Sequence, residues 1–262
     1  MKKYLLLFLL FTQFTFSQSD YFNAAYTICP IPDDKESKDN YKLGLDCVKA
    51  NLYIGGANKL FLDLIKKDST FCDAYYWAGY TYRLSNMNKA ALTYYYMADS
   101  LSNNKSLLFK QNLAFMASME GAIILARKKY DEMKLYFPKS PEGYYGIAST
   151  ALIIGDCENG LENLNQAMMA YNQMGKELGE ELYWIQGILL SRVDKFEESI
   201  VAFEKLSGPI TKNDEYRIHY ALSLIKEGKS NNDEKQIKKA RKLYEKINDK
   251  SVLTEMVTTE FQ

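Results

Sequence analysis

The sequence predicts an all-α solenoid of about six antiparallel helix-turn-helix hairpins. Three observations carry that prediction. Residue types recur at a spacing of about 34 positions. Tyr75, Ala78, Gly79 and Tyr82, followed by Ala91, Tyr95 and Ala98, share their offsets with Tyr183, Gly187 and Leu190, then Ser199, Phe203 and Leu206. Within each half-repeat the apolar residues stand three or four apart, which places them on one helical face. The 21 Tyr and 13 Phe exceed what one small core consumes, whereas a stack of hairpins needs aromatic wedges in every repeat. Such stacks bind partners along an extended surface rather than transform them.

The first element is expected to lie outside the fold. Lys2 and Lys3 form a basic start, residues 4–11 are an apolar run, and Thr15-Phe16-Ser17 sets small residues before a cut ahead of Gln18. Residues 1–17 therefore read as a secretory signal. The apolar run is too short to span a bilayer core of ~30 Å, and no later stretch is long and apolar enough, so no membrane insertion of the mature chain is expected. The Thr-Phe-Ser-Gln ending resembles those of proteins exported by Gram-negative Bacteroidota, which implies a periplasmic or secreted location. Removing 1–17 takes two lysines from a balanced set of 33 basic and 33 acidic residues, leaving 31 − 33 = −2. A chain so nearly neutral has no global field for nucleic acid. Residues 18–37 form an N-terminal segment before the repeats.

The repeats begin near 38, 72, 107, 141, 180 and 214, covering 38–71, 72–106, 107–140, 141–179, 180–213 and 214–247, and 248–262 is a tail. Repeat one carries Tyr41, Gly44, Leu45 and Val48, then Ala57, Phe61 and Leu64. Repeat three carries Leu113, Ala114 and Ala117, then Ala126, Tyr130 and Met133, and closes on Pro138. Repeat four carries Tyr144, Ile147, Ala148 and Ala151, then Gly160, Leu164 and Ala167. Repeat six is irregular: Ala221 and Leu224 keep their places, but an insertion across 228–236 delays Ala240, Tyr244 and Ile247. A small residue at Gly79, Ala114, Ala148, Gly187 or Ala221 lets two backbones approach, and Tyr95, Tyr130 or Phe203 fills the space beside it. Ser85-Asn86 and Gly155-Asp156 suit tight turns between the two helices of a hairpin.

These residues resemble the tetratricopeptide repeat, with its bulky, Leu, Gly, Tyr, Ala, Phe, Ala, Pro pattern at the same period, over residues 38–247. Tyr75, Tyr144 and Tyr183 hold the family's tryptophan position, and Pro138 its closing proline. The resemblance implies a right-handed superhelix in which the first helix of each hairpin lines a concave inner wall. Carried over position by position, that wall holds Asp73, Tyr76, Tyr80, Arg83 and Leu84, then Leu108, Gln111, Phe115, Ser118 and Met119. It continues with Glu142, Tyr145, Ser149, Leu152 and Ile153, then Glu181, Trp184, Ile188, Ser191 and Arg192. The implied function is a non-catalytic scaffold binding a protein or peptide partner of unknown identity. Its groove residues would be Tyr76, Tyr80, Arg83, Gln111, Phe115, Tyr145, Trp184, Ile188 and Arg192, with the aromatic rings as anchors.

Three alternatives use the same wall. Its rings suit a glycan or small ligand as well as a peptide; they pack against neighbouring hairpins or under the N-terminal segment, with residues 251–262 as a candidate plug; or they mediate self-association. The family's clamp for a chaperone C-terminal carboxylate would need a set of Lys, Asn and Arg. The matching positions are Lys42, Asp46, Trp77, Leu108 and Asn112, of which only Lys42 fits.

The chemistry-bearing residues argue against catalysis. The one histidine, His219, rules out histidine dyads and multi-histidine zinc sites within a chain, and reads as structural. Gly228-Lys229-Ser230 looks like the end of a phosphate loop, but Ser223 stands where the first glycine belongs, so it reads as a solvated turn. No cofactor or metal is implied. The 226–250 stretch, with nine basic and five acidic residues, reads as a solvated helix face. Of four cysteines, Cys47 and Cys72 are offset by roughly 13 Å along near-parallel helices at ~1.5 Å per residue, beyond the ~7 Å limit for a bridge. Cys157 lies two hairpins further on, so only Cys29 can reach Cys47 or Cys72; otherwise all four are free.

Overall fold

The structure is a computed structural model that describes Phe22, residues 26–249 and residues 255–261. The expected secretory signal lies outside the described residues. These form thirteen α-helices and no strand. In chain order they are α1 (Lys35–Lys49), α2 (Ile54–Lys67), α3 (Cys72–Leu84), α4 (Asn88–Leu101), α5 (Leu107–Met119), α6 (Ile123–Tyr136), α7 (Pro141–Ile154), α8 (Cys157–Gln173), α9 (Glu180–Arg192), α10 (Phe196–Phe203), α11 (Asp214–Asn231), α12 (Glu234–Glu245) and α13 (Glu255–Phe261). Six successive pairs, α1/α2 to α11/α12, are the hairpins. They group into two compact bodies, one ending at Gly143 and one starting at Tyr144.

Local chemistry starts and stops these helices. Asp34 caps α1 by accepting from the Ser37 N–H at 3.0 Å, and Ser106 caps α5 by accepting from the Phe109 N–H at 3.2 Å. Asp233 caps α12 through the Lys235 and Gln236 amides. The turn inside each hairpin uses a left-handed residue: Asn51, Asn86, Gly121, Gly155, Asp194 or Asn232. Gly and Asn reach that region at least cost, so the breakers in the sequence are where the chain reverses.

The small-residue positions are contact points between paired helices. A Cβ on Gly79 would lie 2.9 Å from Tyr95 Cδ1, and one on Gly187 would lie 2.6 Å from Phe203 Cε1. Both rings are fully buried. In the N-terminal body Tyr41, Phe61, Phe71, Tyr76, Trp77, Tyr95 and Phe109 form a continuous aromatic core, and Trp77 Nε1 donates to the Tyr41 hydroxyl at 3.1 Å. A charged cluster is buried beside it. Asp99 on α4 lies 3.0 Å from Lys110 of α5 and 2.7 Å from Lys129 of α6, while Glu132 of α6 lies 2.6 and 2.9 Å from the same two ammonium groups. Two cations and two anions thus neutralise each other across three helices.

Cys29 and Cys72 are joined in a disulfide with a Cα–Cα distance of 5.6 Å, and Cys47 and Cys157 are free thiols. Repeat six takes up its insertion by lengthening α11 to 18 residues. This corrects the solvated-turn reading of Gly228-Lys229-Ser230: all three lie in the last turns of α11, with Gly228 close beneath Ile237. The closing helix α13 rests on the last hairpin. Val257 is buried, Phe261 stacks on Tyr244 with centroids 4.2 Å apart, and Glu260 pairs with Lys226 and Lys229 at 2.5 and 3.0 Å. Among the described residues no helix is long and apolar enough to cross a membrane.

Candidate functional site

In the N-terminal body, α3 and α5 supply the expected wall. Tyr76 is only 1% exposed: its ring stacks on Phe109 at 4.8 Å and its hydroxyl accepts from Asn112 Nδ2 at 3.3 Å. Tyr80 is half-buried, and the Arg83 guanidinium sits 4.8 Å above its ring. Gln111 and Phe115 are half-buried on α5, and Leu84 is exposed at the end of α3. Of the groove residues expected in this body, Tyr80, Arg83, Gln111 and Phe115 are partly exposed, and the wall positions Leu108 and Met119 share that exposure.

The start of the same wall is covered by the N-terminal segment. The Phe22 ring lies 5.0 Å from Trp77 and 6.4 Å from Tyr80. Asp73, fully buried on the first turn of α3, accepts from the Ile28 amide at 3.0 Å and the Cys29 amide at 2.8 Å. A buried carboxylate needs such donors. Cys72, one residue away, bridges to Cys29.

In the C-terminal body the wall is reduced further. Trp184 (1% exposed) and Ile188 (0%) belong to the core, because α9 packs against α10, α8 and α11. Tyr76 and Trp184, expected as groove anchors, and Ile188, expected as a groove residue, are thus core residues. Tyr145 is half-buried, and Arg192 is exposed with its Nη1 donating to the Leu152 carbonyl at 2.7 Å. Trp184 Nε1 and Glu215 Oε2 are buried without a hydrogen-bond partner among the described residues. Burial pushes the Glu215 carboxyl up against the opposing pull of Arg192.

His219 makes a contact that resembles a catalytic pair: its Nδ1 lies 3.2 Å from Ser191 Oγ. Burial, reinforced by the Arg192 charge, pushes its pKa down to about 3. A general base is effective when its pKa lies near the working pH, and this imidazole is a far weaker base than that. The two groups instead belong to a polar seam between α9, α10 and α11. In it Ser199 bonds to the Gly187 carbonyl at 2.8 Å and to Ser223 at 2.9 Å, and Ser223 donates to the His219 carbonyl at 2.8 Å.

Sequence reasoning did not anticipate Asp73 as the holder of the N-terminal segment. The one signal was an acid at the second position of repeat two, beside a cysteine. No family model matches the chain, and no curated protein matches it in sequence. Solved structures match it as folds. Pseudomonas aeruginosa pilF is similar with a TM-score of 0.58 at 13% identity, over 86% of this chain and 95% of that one. YrrB, described as a TPR protein with an unusual peptide-binding site, is similar with a TM-score of 0.58 at 12% identity, over 76% of this chain and 96% of that one. The Cut9–Hcn1 hetero-tetramer of the APC/C matches with a TM-score of 0.54 at 14% identity over 85% of this chain, which spans 41% of the matched chain. The fold is that of the tetratricopeptide-repeat proteins: an all-α array of helix-turn-helix hairpins.

Proposed function

We propose that this protein is a non-catalytic scaffold that captures a protein or peptide partner on the first-helix faces of its hairpins. One observation carries the reading. In the N-terminal body Tyr80 and Arg83 on α3, with the guanidinium over the ring, and Gln111 and Phe115 on α5 remain partly exposed, an aromatic and cationic set of the kind that anchors peptides. Tyr145 and Arg192 are the corresponding candidates in the C-terminal body. The similar fold of YrrB, described as having a peptide-binding site, supports a peptide as the occupant.

The reading places the mature chain outside the cytoplasm of a Gram-negative bacterium, in the periplasm or secreted. The signal-like residues 1–17 and the Cys29–Cys72 bridge support that location, since disulfides persist in oxidising compartments. Mass spectrometry of the protein from fractionated cells should find an N-terminus at Gln18. An intact Met1 in the cytoplasmic fraction would remove the assignment.

The binding reading is tested by crosslinking the chain in its native envelope, with Tyr80→Ala, Arg83→Ala and Phe115→Ala as comparison variants. Tyr80 and Phe115 are half-buried and pack against the edge of the core, so circular dichroism first establishes that each variant keeps its helicity, and the crosslinked partner should be lost from the variants that do. Retained capture by the triple variant would move the partner site away from these residues.

A further inference from the structure

The N-terminal segment bears on the wall in the way a bound peptide would. It approaches α3 without helical structure at 26–34, places an aromatic ring, Phe22, against Trp77 and Tyr80, and packs Ile28 and Ile31 against the core cluster. Its main chain is clamped by two successive amides, Ile28 and Cys29, on the Asp73 carboxylate. Asp73 and Tyr80 are inward positions of repeat two, and Tyr80 also belongs to the set proposed for a partner, so the segment covers one end of that surface. Helices α1 to α4 also pair with one another through their own helical faces. What makes the segment's contact permanent is the covalent bond from Cys29 to Cys72, on the residue next to the carboxylate. Cys29, Cys72 and Asp73 lie together, yet the sulfurs are spent on each other and the carboxylate on two amides, so the trio fits a latch and not a metal site.

We infer that Phe22 and residues 26–31 are a disulfide-latched occupant of the N-terminal body's binding face, and that reduction of Cys29–Cys72 opens this face to an extended peptide of the same chemistry. That peptide has an aromatic residue and an aliphatic residue, with two adjacent free amides for Asp73. The inference rests on the proposed peptide-binding reading. The reductant is a dithiol. One of its thiolates attacks a sulfur of the bridge, the mixed disulfide is resolved by its second thiol, and two electrons and two protons pass to Cys29 and Cys72 as the dithiol becomes a disulfide. Released, the segment competes for the face only as a tethered ligand with a finite effective concentration. Latched, it is never displaced.

The test uses the full mature chain, oxidised and after treatment with dithiothreitol, and a Cys29→Ser variant that lacks the latch. The probe is a fluorescent synthetic peptide of this chain's residues 20–32 carrying Cys29→Ser. Hydrogen exchange at the backbone amides of positions 28 and 29 reads release of the segment, and anisotropy reads binding of the probe. The expected result is faster exchange and binding stronger by about tenfold or more in the reduced chain and the variant, with oxidised chain binding little. Circular dichroism of the variant confirms that the hairpins remain folded. Unchanged amide exchange on reduction overturns the latch, while partner capture through Phe115 stays open. Faster exchange without probe binding overturns the opening of the face and also counts against peptide recognition in this body.

Discussion

Replacing Asp99 with Asn is expected to destabilise the N-terminal body by about 3–5 kcal/mol, because it breaks a neutral buried cluster from one side. Asp99 is 3% exposed and Lys110 fully buried. Asp99 Oδ1 accepts no well-directed hydrogen bond, but it lies 3.0 Å from the Lys110 ammonium, and Oδ2 lies 2.7 Å from that of Lys129. At an effective dielectric of about 20 each of these pairs has a Coulomb energy of roughly 6 kcal/mol, some 12 kcal/mol gross. Much of that is cancelled because Asn spares the desolvation of one carboxylate, and Lys110 and Lys129 still share Glu132. What remains is a net buried positive charge, for which losses of the size above are typical. Thermal melting should show a fall of about 10 °C, at ~2–4 °C per kcal/mol for a chain of this length. Adding Lys129→Met to Asp99→Asn removes the surplus charge and should recover part of the loss. A conservative control is Asp63→Asn, which breaks only the exposed Lys66–Asp63 pair at 2.8 Å and should change stability by less than about 1 kcal/mol. If Asp99→Asn melts like the control, the cluster is hydrated and carries no buried-charge penalty, which refutes the reasoning.

The other predictions concern the remaining joints. Gly187→Ala should lower stability by about 1 kcal/mol in urea denaturation: overpacking against the buried Phe203 ring costs ~1–3 kcal/mol and the helix-propensity gain returns about 1. His219 is neutral in the fold with a pKa of about 3 against the ordinary 6.5, so the unfolded chain takes up a proton first as the pH falls. Stability from this group is therefore full above pH 6.5 and drains toward pH 3, by at most about 2 kcal/mol at pH 5; His219→Asn should flatten that slope, and an unchanged slope assigns it to other groups. Glu132 runs with the same sign for a different reason: although burial raises its pKa, Lys110 and Lys129 outweigh it and hold the carboxyl below its usual range, so its contribution is lost as acid protonates it. Reducing the Cys29–Cys72 bridge, which closes 43 residues, should cost up to about 4 kcal/mol on the chain-entropy estimate, read as a shift in the denaturation midpoint at constant pH.

Much of the fold was legible because its contacts are local and repeat. Cys72, Leu107, Pro141, Glu180 and Asp214 are each the first residue of a helix, and the same five residues open the repeats in the sequence. The pairings Gly79 with Tyr95 and Gly187 with Phe203 follow from helical spacing within one hairpin. The wall was less legible. Spacing shows which face of α9 carries Trp184 and Ile188, but how much of that face a neighbouring helix covers depends on packing between hairpins. The same offset leaves Tyr80 half-buried on α3 and Ile188 fully buried on α9. The segment over Asp73 was illegible for another reason: its contacts span 44 and 45 residues and occur once, so no period announces them. The cysteine offsets excluded a Cys47–Cys72 bridge and left Cys29 with two partners, between which only the tertiary path decides.

The buried polar groups explain why these particular hairpins stack in this order. A glycine under an aromatic ring closes the two helices of one hairpin and is the same in several repeats, so it does not select the neighbouring hairpin. Specificity has to come from groups that fit one neighbour alone. Asp99, Lys110, Lys129 and Glu132 balance only when α4, α5 and α6 meet in one register; a shift by one turn, about 5.4 Å, strands every charge. In the second body Ser199 meets Ser223, and Ser191 meets His219, only if α9, α10 and α11 keep their alignment. Unpaired buried polar atoms cost more than apolar mispacking, so misregistered stacks are penalised at these joints. Each body thus pairs an interchangeable apolar frame with one polar seam that admits a single neighbour, which leaves the exposed first-helix residues free to differ from repeat to repeat without endangering the array.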